Sequence, residues 1–259
     1  METRPLTTEV EYEACVDLQR ATWGSDFREL VAPALLKISQ KIGGVCAGTF
    51  HDGKLLGFVY GLAGYVDGQP LHWSHMLAVR EDHRDQGIGK MLKEYQREQV
   101  IAGGVDRMLW TYDPLVARNA HLNLNRLGAR VLEYVPNMYG ENPMSRTDSV
   151  IGTDRFIVEW DLTSGSTSSD PSLPRDAAVI TVASTDNVDE TPEFPEDQTV
   201  LVEVPEDIQK LKLTAPNEAQ AWRILLREAF LRYGELGYSI AGLARDRQAG
   251  RAFYLLQRR

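Results

Sequence analysis

The chain is poor in the residue types that would settle its class cheaply. It has two cysteines, Cys15 and Cys46, among 259 residues, too few for a disulfide framework or a cysteine-rich zinc site. A reducing cytoplasm is the expected location. No run approaches the roughly 18–20 uninterrupted apolar residues of a membrane helix. The first residues (METRPLTTEVEYEA) lack the apolar stretch of a secretory signal, so no membrane partner is expected. Positive charge is also lacking. The net charge is −9, the wrong sign for a phosphate-backbone binder, so no nucleic-acid partner is expected.

That acidity is local. Residues 163–198 hold eight acids against one base, Arg175, whereas residues 199–259 hold seven acids against ten bases. The segment 164–198, rich in Ser, Thr, Pro and acids, cannot bury enough apolar area to offset the entropy of ordering. It is expected to be an acidic flexible linker with a stray edge strand at Ala178–Ala183. It separates a first domain, 1–163, from a small α+β unit, 199–259.

Within 1–163 helical and strand patterns alternate. Helices are predicted from Thr7 or Thr8 to Trp23, from Ala32 to Gly43-Gly44, from Gly87 onward with Ile88, Met91, Leu92 and Tyr95 on one stripe, and from Pro114 to Leu127. Strands are predicted on both sides of Asp52-Gly53, a hairpin signal, and at Ser74–Arg80, Met108–Tyr112, Ala129–Tyr134 and Phe156–Asp161. The fold class is α/β, a mixed β-sheet flanked by helices. Beyond the linker comes a β-α-β-β unit: strand Thr199–Val204, helix Asn217–Tyr233 opened by an Asn217/Gln220 capping pair, and strands Tyr238–Ala244 and Ala252–Gln257. So small a unit buries little alone and is expected to dock on the first domain.

Chemistry concentrates where the strand ending Leu77-Ala78-Val79 turns into a helix through Arg84-Asp85-Gln86-Gly87-Ile88-Gly89-Lys90. Glycines at 87 and 89 bare the backbone. N–H groups from Gln86 to Lys90 can converge on an anion at the positive end of the helix, with Arg84 and Lys90 adding charge. A dinucleotide fingerprint needs a third small residue where Leu92 stands, and a Walker A loop needs Ser or Thr where Met91 stands; both fail. The remaining pattern, R-x-x-G-x-G after a hydrophobic strand, resembles the acetyl-CoA signature of the GCN5-related N-acetyltransferase (GNAT) superfamily over roughly residues 1–160.

The resemblance implies an acyl-CoA-dependent N-acyltransferase using acetyl-CoA, or another acyl-CoA such as succinyl-CoA, as co-substrate, without a metal. It implies a fork between the strand Ser74–Val79 and the next strand, with Leu77 and Val79 pairing the pantetheine arm and the Arg84–Gly89 turn holding the pyrophosphate. His75 shares strand parity with Trp73, Leu77 and Val79, and histidines on that face serve a proton path in the arylalkylamine branch. His75 is thus either a general base or a packing residue, and His72, nearer the loop, carries less weight. Where many members have a proton-donating tyrosine this chain has Leu124, leaving Tyr112, Tyr134 and Tyr139 as substitutes, with Tyr112 at its strand end the one carried forward.

Asn119 and Asn123, four apart on the predicted helix, either contact the cofactor or are solvated. Arg223 and Arg227, also four apart, either clamp a carboxylate of the substrate or form ion pairs. The acceptor is expected to be a small amine or amino acid; a homodimer is allowed. The rivals are a catalytically silent CoA-binding module and a protein lysine or N-terminal acetyltransferase.

Overall fold

The computed structural model describes residues 1–25, 27, 29–140, 151–164, 170–182 and 194–258. The chain forms two compact units, residues 1–110 with 159–165 and residues 111–158 with 166–259.

The first unit opens with strand β1 (Glu2–Pro5), which the sequence pattern did not suggest. Helix α1 (Glu9–Trp23) follows a complete capping box: the Thr8 side chain accepts from Glu11 N–H, and the Glu11 carboxylate accepts from Thr8 N–H. Arg4 also donates to that carboxylate at 2.6 Å and holds its pKa down at about 2. Helix α2 (Pro33–Lys41) starts on its proline, which has no N–H to leave unsatisfied. Strands β2 (Val45–His51) and β3 (Lys54–Val66) join through Asp52-Gly53, both at positive φ as a tight hairpin demands. Then come β4 (Gln69–Val79), a short turn of helix at Glu81–His83, α3 (Ile88–Ala102) and β5 (Arg107–Tyr112).

The chain continues through α4 (Ala117–Ala120), β6 (Arg130–Val135) and β7 (Arg155–Asp161). The order β1-β2-β3-β4-β5-β7-β6 makes a seven-stranded mixed sheet, antiparallel from β1 to β4 and parallel at β4/β5. One face of the first unit buries Tyr12, Cys15, Leu18 and Leu36 of α1 and α2 against Phe58, Tyr60, Met76 and Ala78. α3 buries Ile88, Leu92, Lys93, Gln96 and Val100, so its inner stripe is rotated from the expected one. Met91 and Tyr95 are only half-buried, and a lysine and a glutamine take buried positions.

The second unit carries a separate sheet, β10-β11-β9-β8. β8 is Ala178–Ile180, shorter than the expected edge strand, and runs parallel to β9 (Thr199–Val204). Residues 165–169 and 183–193 of the expected flexible linker lie outside the described residues. α5 (Ile208–Thr214), capped by Asp207, was not anticipated. It precedes α6 (Pro216–Glu235), so two helices, not one, stand between β9 and the strands β10 (Tyr238–Asp246) and β11 (Arg251–Arg258). The Asn217/Gln220 cap does not form. Pro216 already occupies the first helical turn, and the cap residue is Ala215, without a side-chain bond.

The helix predicted from Pro114 to Leu127 also differs. After α4 the backbone widens into a π turn, His121–Arg126, with Leu127 N–H donating to Leu122 C=O. The cause is local. Asn125 donates to Leu243 C=O (2.8 Å) and accepts from Leu243 N–H (3.0 Å), and such side-chain ties to backbone offset the extra residue in the turn.

Candidate active site

β4 carries the first part of the site. Its pairing with β3 slips between Met76↔Tyr60 and Ser74↔Gly61, leaving His75 as the extra residue of a bulge. The bulge breaks the parity on which His75 was grouped with Trp73, Leu77 and Val79. Before it, His72 and Ser74 bond to α3; after it, Met76 and Ala78 belong to the core beneath α1 and α2. A strict alternation cannot do both. β4 and β5 are paired at His72↔Met108 and Trp73↔Leu109 and, among the described residues, not beyond. The edge from Ser74 to Val79, including the half-buried Leu77 and Val79, is therefore left with backbone groups open for an extended partner.

His75 is exposed and its ring stands edge-on to Tyr60, centroids 6.0 Å apart. Desolvation by the surrounding protein lowers its pKa below the ordinary histidine value, with Glu29 pulling the other way. The imidazole is therefore neutral at neutral pH and able to take a proton. His72, in contrast, is buried, and its pKa falls to about 4 through desolvation and the nearby Lys93.

The turn after β4 is the second part. Asp85 and Gly87 both have positive φ (61° and 80°), bending the chain sharply into α3. At Gly87 a Cβ would meet nothing within 4 Å, so the glycine is required by its left-handed backbone and the space beside it is open. The helix's first hydrogen bond runs from Met91 N–H to Gly87 C=O (3.0 Å), leaving the N–H groups of Ile88, Gly89 and Lys90 without an intrahelical acceptor. Asp85, Gln86, Gly87 and Lys90 are exposed, and Ile88 is buried and anchors the turn. Arg84 is half-buried, its Nε 3.4 Å from Val79 C=O and its Nη1 3.7 Å from Glu81; Lys90 lies 3.5 Å from Glu94. These surface pairs are weak enough to exchange for an arriving phosphate. Open donors, an unobstructed glycine and two nearby cations fit a diphosphate, and the free β4 edge fits the amide-bearing arm of coenzyme A.

Other expected site residues are placed differently. Tyr112 is buried, its ring 5.7 Å from Phe156, and burial raises its pKa above the ordinary tyrosine value; an enclosed phenol is a core group and a poor proton donor to a leaving thiolate. Tyr134 donates to Asp154 and is likewise raised. Of the three tyrosines, Tyr139 keeps an exposed ring, its hydroxyl 2.9 Å from Thr111 Oγ1. Asn123 is buried in the π turn while Asn119 is half-buried in α4, so the α-helical four-residue spacing no longer puts them on one face.

Arg223 and Arg227 do not present an open clamp. Arg223 is buried, bonds both oxygens of Asp113 (2.8 and 2.9 Å) and donates to Ile151 C=O (3.0 Å). Arg227 bonds both oxygens of Asp154 (2.9 and 2.6 Å) and Asn137 (3.1 Å). Each fork already holds a carboxylate of the chain itself.

Sequence reasoning missed the buried network beside β4. Lys93 donates to Ser74 Oγ (2.7 Å), Ser74 donates to Gln96 Oε1 (2.8 Å), and Gln96 Nε2 lies 3.0 Å from His72 Nε2. Gly61 makes room for it, since a Cβ there would overlap His72 Nε2 and Gln96 Nε2. The available signal was a lysine and a glutamine in line with Leu92 and Val100 on α3.

Residues 12–127 match the model of the Acetyltransferase (GNAT) family. This stretch of the chain belongs to that family. Solved structures agree at the level of fold. An N-acetyltransferase from Staphylococcus aureus Mu50 superposes with a TM-score of 0.51 at 13% identity, over 62% of this chain and 98% of its own. The smu.2055 protein of Streptococcus mutans UA159 gives 0.51 at 17%, over 62% and 99%. The yncA protein of Salmonella typhimurium, solved with its cofactor acetyl-CoA, gives 0.50 at 16%, over 64% and 96%. No curated protein matches the chain. Homologues in the GNAT family bind CoA or acetyl-CoA.

Proposed function

We propose that this GNAT protein transfers an acetyl or other short acyl group, such as succinyl, from acyl-CoA to the amine of a small molecule or amino acid. The observation that carries the reading is the continuity of one open backbone path, from the unpaired edge of β4 to the free N–H groups at the start of α3. The acyl-CoA supplies the activated thioester. The amine attacks the thioester carbonyl, the C–S bond breaks, and CoA leaves as a thiolate that takes its proton from solvent; the chain supplies binding, orientation and the base. N–H groups of Ile88, Gly89 and Lys90 bind the diphosphate, with Arg84 and Lys90 adding charge. The edge at Leu77 and Val79 orients the arm by strand-like pairing. His75, exposed and neutral, takes the proton of the incoming ammonium, directly or through water. A net charge of −9 favours a small acceptor over nucleic acid.

The test is CoA binding and thiol release by the full chain, with several acyl-CoA donors against an amine and amino-acid panel. CoA should raise the melting temperature in proportion to its binding, and at least one amine should release thiol. Gly87→Val forces a β-branched residue into left-handed backbone, at about 1–2 kcal/mol of local strain, and puts two methyl groups beside the free N–H groups. CoA affinity should fall on the order of 100-fold, equivalent to about 2.7 kcal/mol, with far-UV circular dichroism unchanged. Unaltered affinity in that variant would remove the cradle.

A further inference from the structure

The two arms of the β4/β5 fork part at a defined point, and one buried amine touches both. The last paired residues are Trp73 and Leu109, so Ser74 and Trp110 are the first residues past the junction on each arm. Lys93 Nζ donates to Ser74 Oγ at 2.7 Å and lies 3.8 Å from the centroid of the Trp110 ring. All three residues are in the first unit, and Lys93 is 4% exposed. A lysine so deeply enclosed is costly to retain, because leaving water penalises its charged form; here desolvation lowers its pKa well below the ordinary value.

Nothing in the core's apolar packing requires that amine. A methionine stem of similar length would fill the same path along α3. What the amine adds is a polar contact to one arm and a ring-face contact to the other, at the place where two parallel strands would otherwise keep pairing. Ser74 Oγ is held by Gln96 as well, which is braced against His72. The network fixes the residue just before the His75 bulge, so the arm that leaves the junction does so with one orientation.

We propose that Lys93 is a positioning residue that wedges the junction of the β4/β5 fork, holding Ser74 and Trp110 apart so that the Ser74–Val79 edge stays open to the pantetheine arm of the acyl donor. The proposal rests on the function proposed above and assigns a task to a residue outside the signature turn. Without the amine the arms close toward a continued ladder, and donor affinity falls while the acceptor side is unaffected.

The experiment measures CoA binding by calorimetry with the full-length wild type, Lys93→Met and Ser74→Ala, together with steady-state KM and kcat for the acyl donor. Lys93→Met keeps the stem and removes the amine; Ser74→Ala removes its acceptor. The dissociation constant for CoA should rise about tenfold in Lys93→Met and about threefold in Ser74→Ala, or roughly 1.4 and 0.6 kcal/mol. Donor KM should rise in step and kcat at saturating donor should stay within about twofold. The melting temperature of Lys93→Met without ligand should equal or exceed that of the wild type, which a merely structural role would not allow. If Lys93→Met fails to fold, Ser74→Ala decides. Wild type that binds CoA, with variants that bind it equally well or lose kcat instead, overturns the wedge alone. Wild type that binds no CoA overturns the functional reading and the wedge with it.

Discussion

α6 and the turn into α3 each present a pair of cationic side chains, four residues apart on α6 and flanking the turn at α3, and they use them in opposite ways. On α6, Arg223 and Arg227 are closed: each guanidinium grips an internal carboxylate in a two-point bond, Asp113 and Asp154. At α3, Arg84 and Lys90 are only loosely paired, at 3.7 and 3.5 Å, and the strong donors are backbone N–H groups left over by the helix. The difference shows that charge pattern alone does not mark a ligand site. A planar fork with a free carboxylate in its own fold will take it, because a buried arginine without a partner is far costlier than one that is paired. Backbone donors at a helix start have no such internal option, and an open glycine keeps the space around them clear.

The largest effect should come from breaking the closed side of this comparison. Arg223→Met leaves Asp113, 12% exposed at its side chain, with Leu115 N–H and an Arg155 guanidinium 4.0 Å away. Removing one partner of a buried pair costs about 3–5 kcal/mol. Urea unfolding should show that loss, and CoA affinity of the folded variant should be unchanged. A variant of full stability that instead loses turnover with acidic acceptors would return Arg223 to the substrate.

The second prediction sharpens the comparison within α3, between its open first turn and its closed inner face. His72 has a folded pKa of about 4 against an ordinary 6.5, because burial and Lys93 oppose its protonated form. The unfolded chain takes up this proton first as pH falls. The stability is therefore full above pH 6.5 and declines as pH drops toward 4, by about 3 kcal/mol for this group. Lys93, lowered in the same direction, contributes a slope of the same sign at higher pH. The difference between wild type and His72→Gln isolates the histidine: the wild-type curve should fall more steeply between pH 6.5 and 4. Parallel curves would show that His72 is not held neutral by the fold.

Much of this was legible in the chain, and the failures share a cause. The R-x-x-G-x-G turn, the Asp52-Gly53 hairpin and strand Thr199–Val204 are local signals, each fixed by backbone conformation or by a short apolar run, and each stands where its residues say. Helix α6 was legible from its stripe of Trp222, Leu225, Leu226, Ala229, Phe230 and Tyr233. What was hidden depended on residues far apart in sequence. The His75 bulge is a mismatch between β3 and β4. The π turn is tied to Leu243, more than a hundred residues downstream. The arginines' carboxylates, Asp113 and Asp154, are 110 and 73 residues away. Lys93 belongs to this group too: it lies outside the stripe Ile88, Met91, Leu92 and Tyr95 expected from periodicity, and what its amine holds is set by the fork.

The last prediction concerns His75, the residue whose role the bulge changes most. As the extra residue it is freed from the alternation that commits His72 and Ser74 to α3 and Met76 to the core, and it is the exposed histidine of β4. A general base contributes on the order of 10²–10⁴-fold, and one that is exposed and able to work through water belongs at the lower end. His75→Ala should therefore lower kcat/KM about 100-fold, near 2.7 kcal/mol, with CoA affinity unchanged. Because desolvation places its pKa below the ordinary 6.5, the wild-type rate should rise with pH through that lowered value and then level. In the variant this limb should vanish and the rate should instead follow deprotonation of the free amine. An unchanged pH profile would make His75 only the residue that lets the strand slip, and the bulge itself, with its open edge, would then be what the site requires.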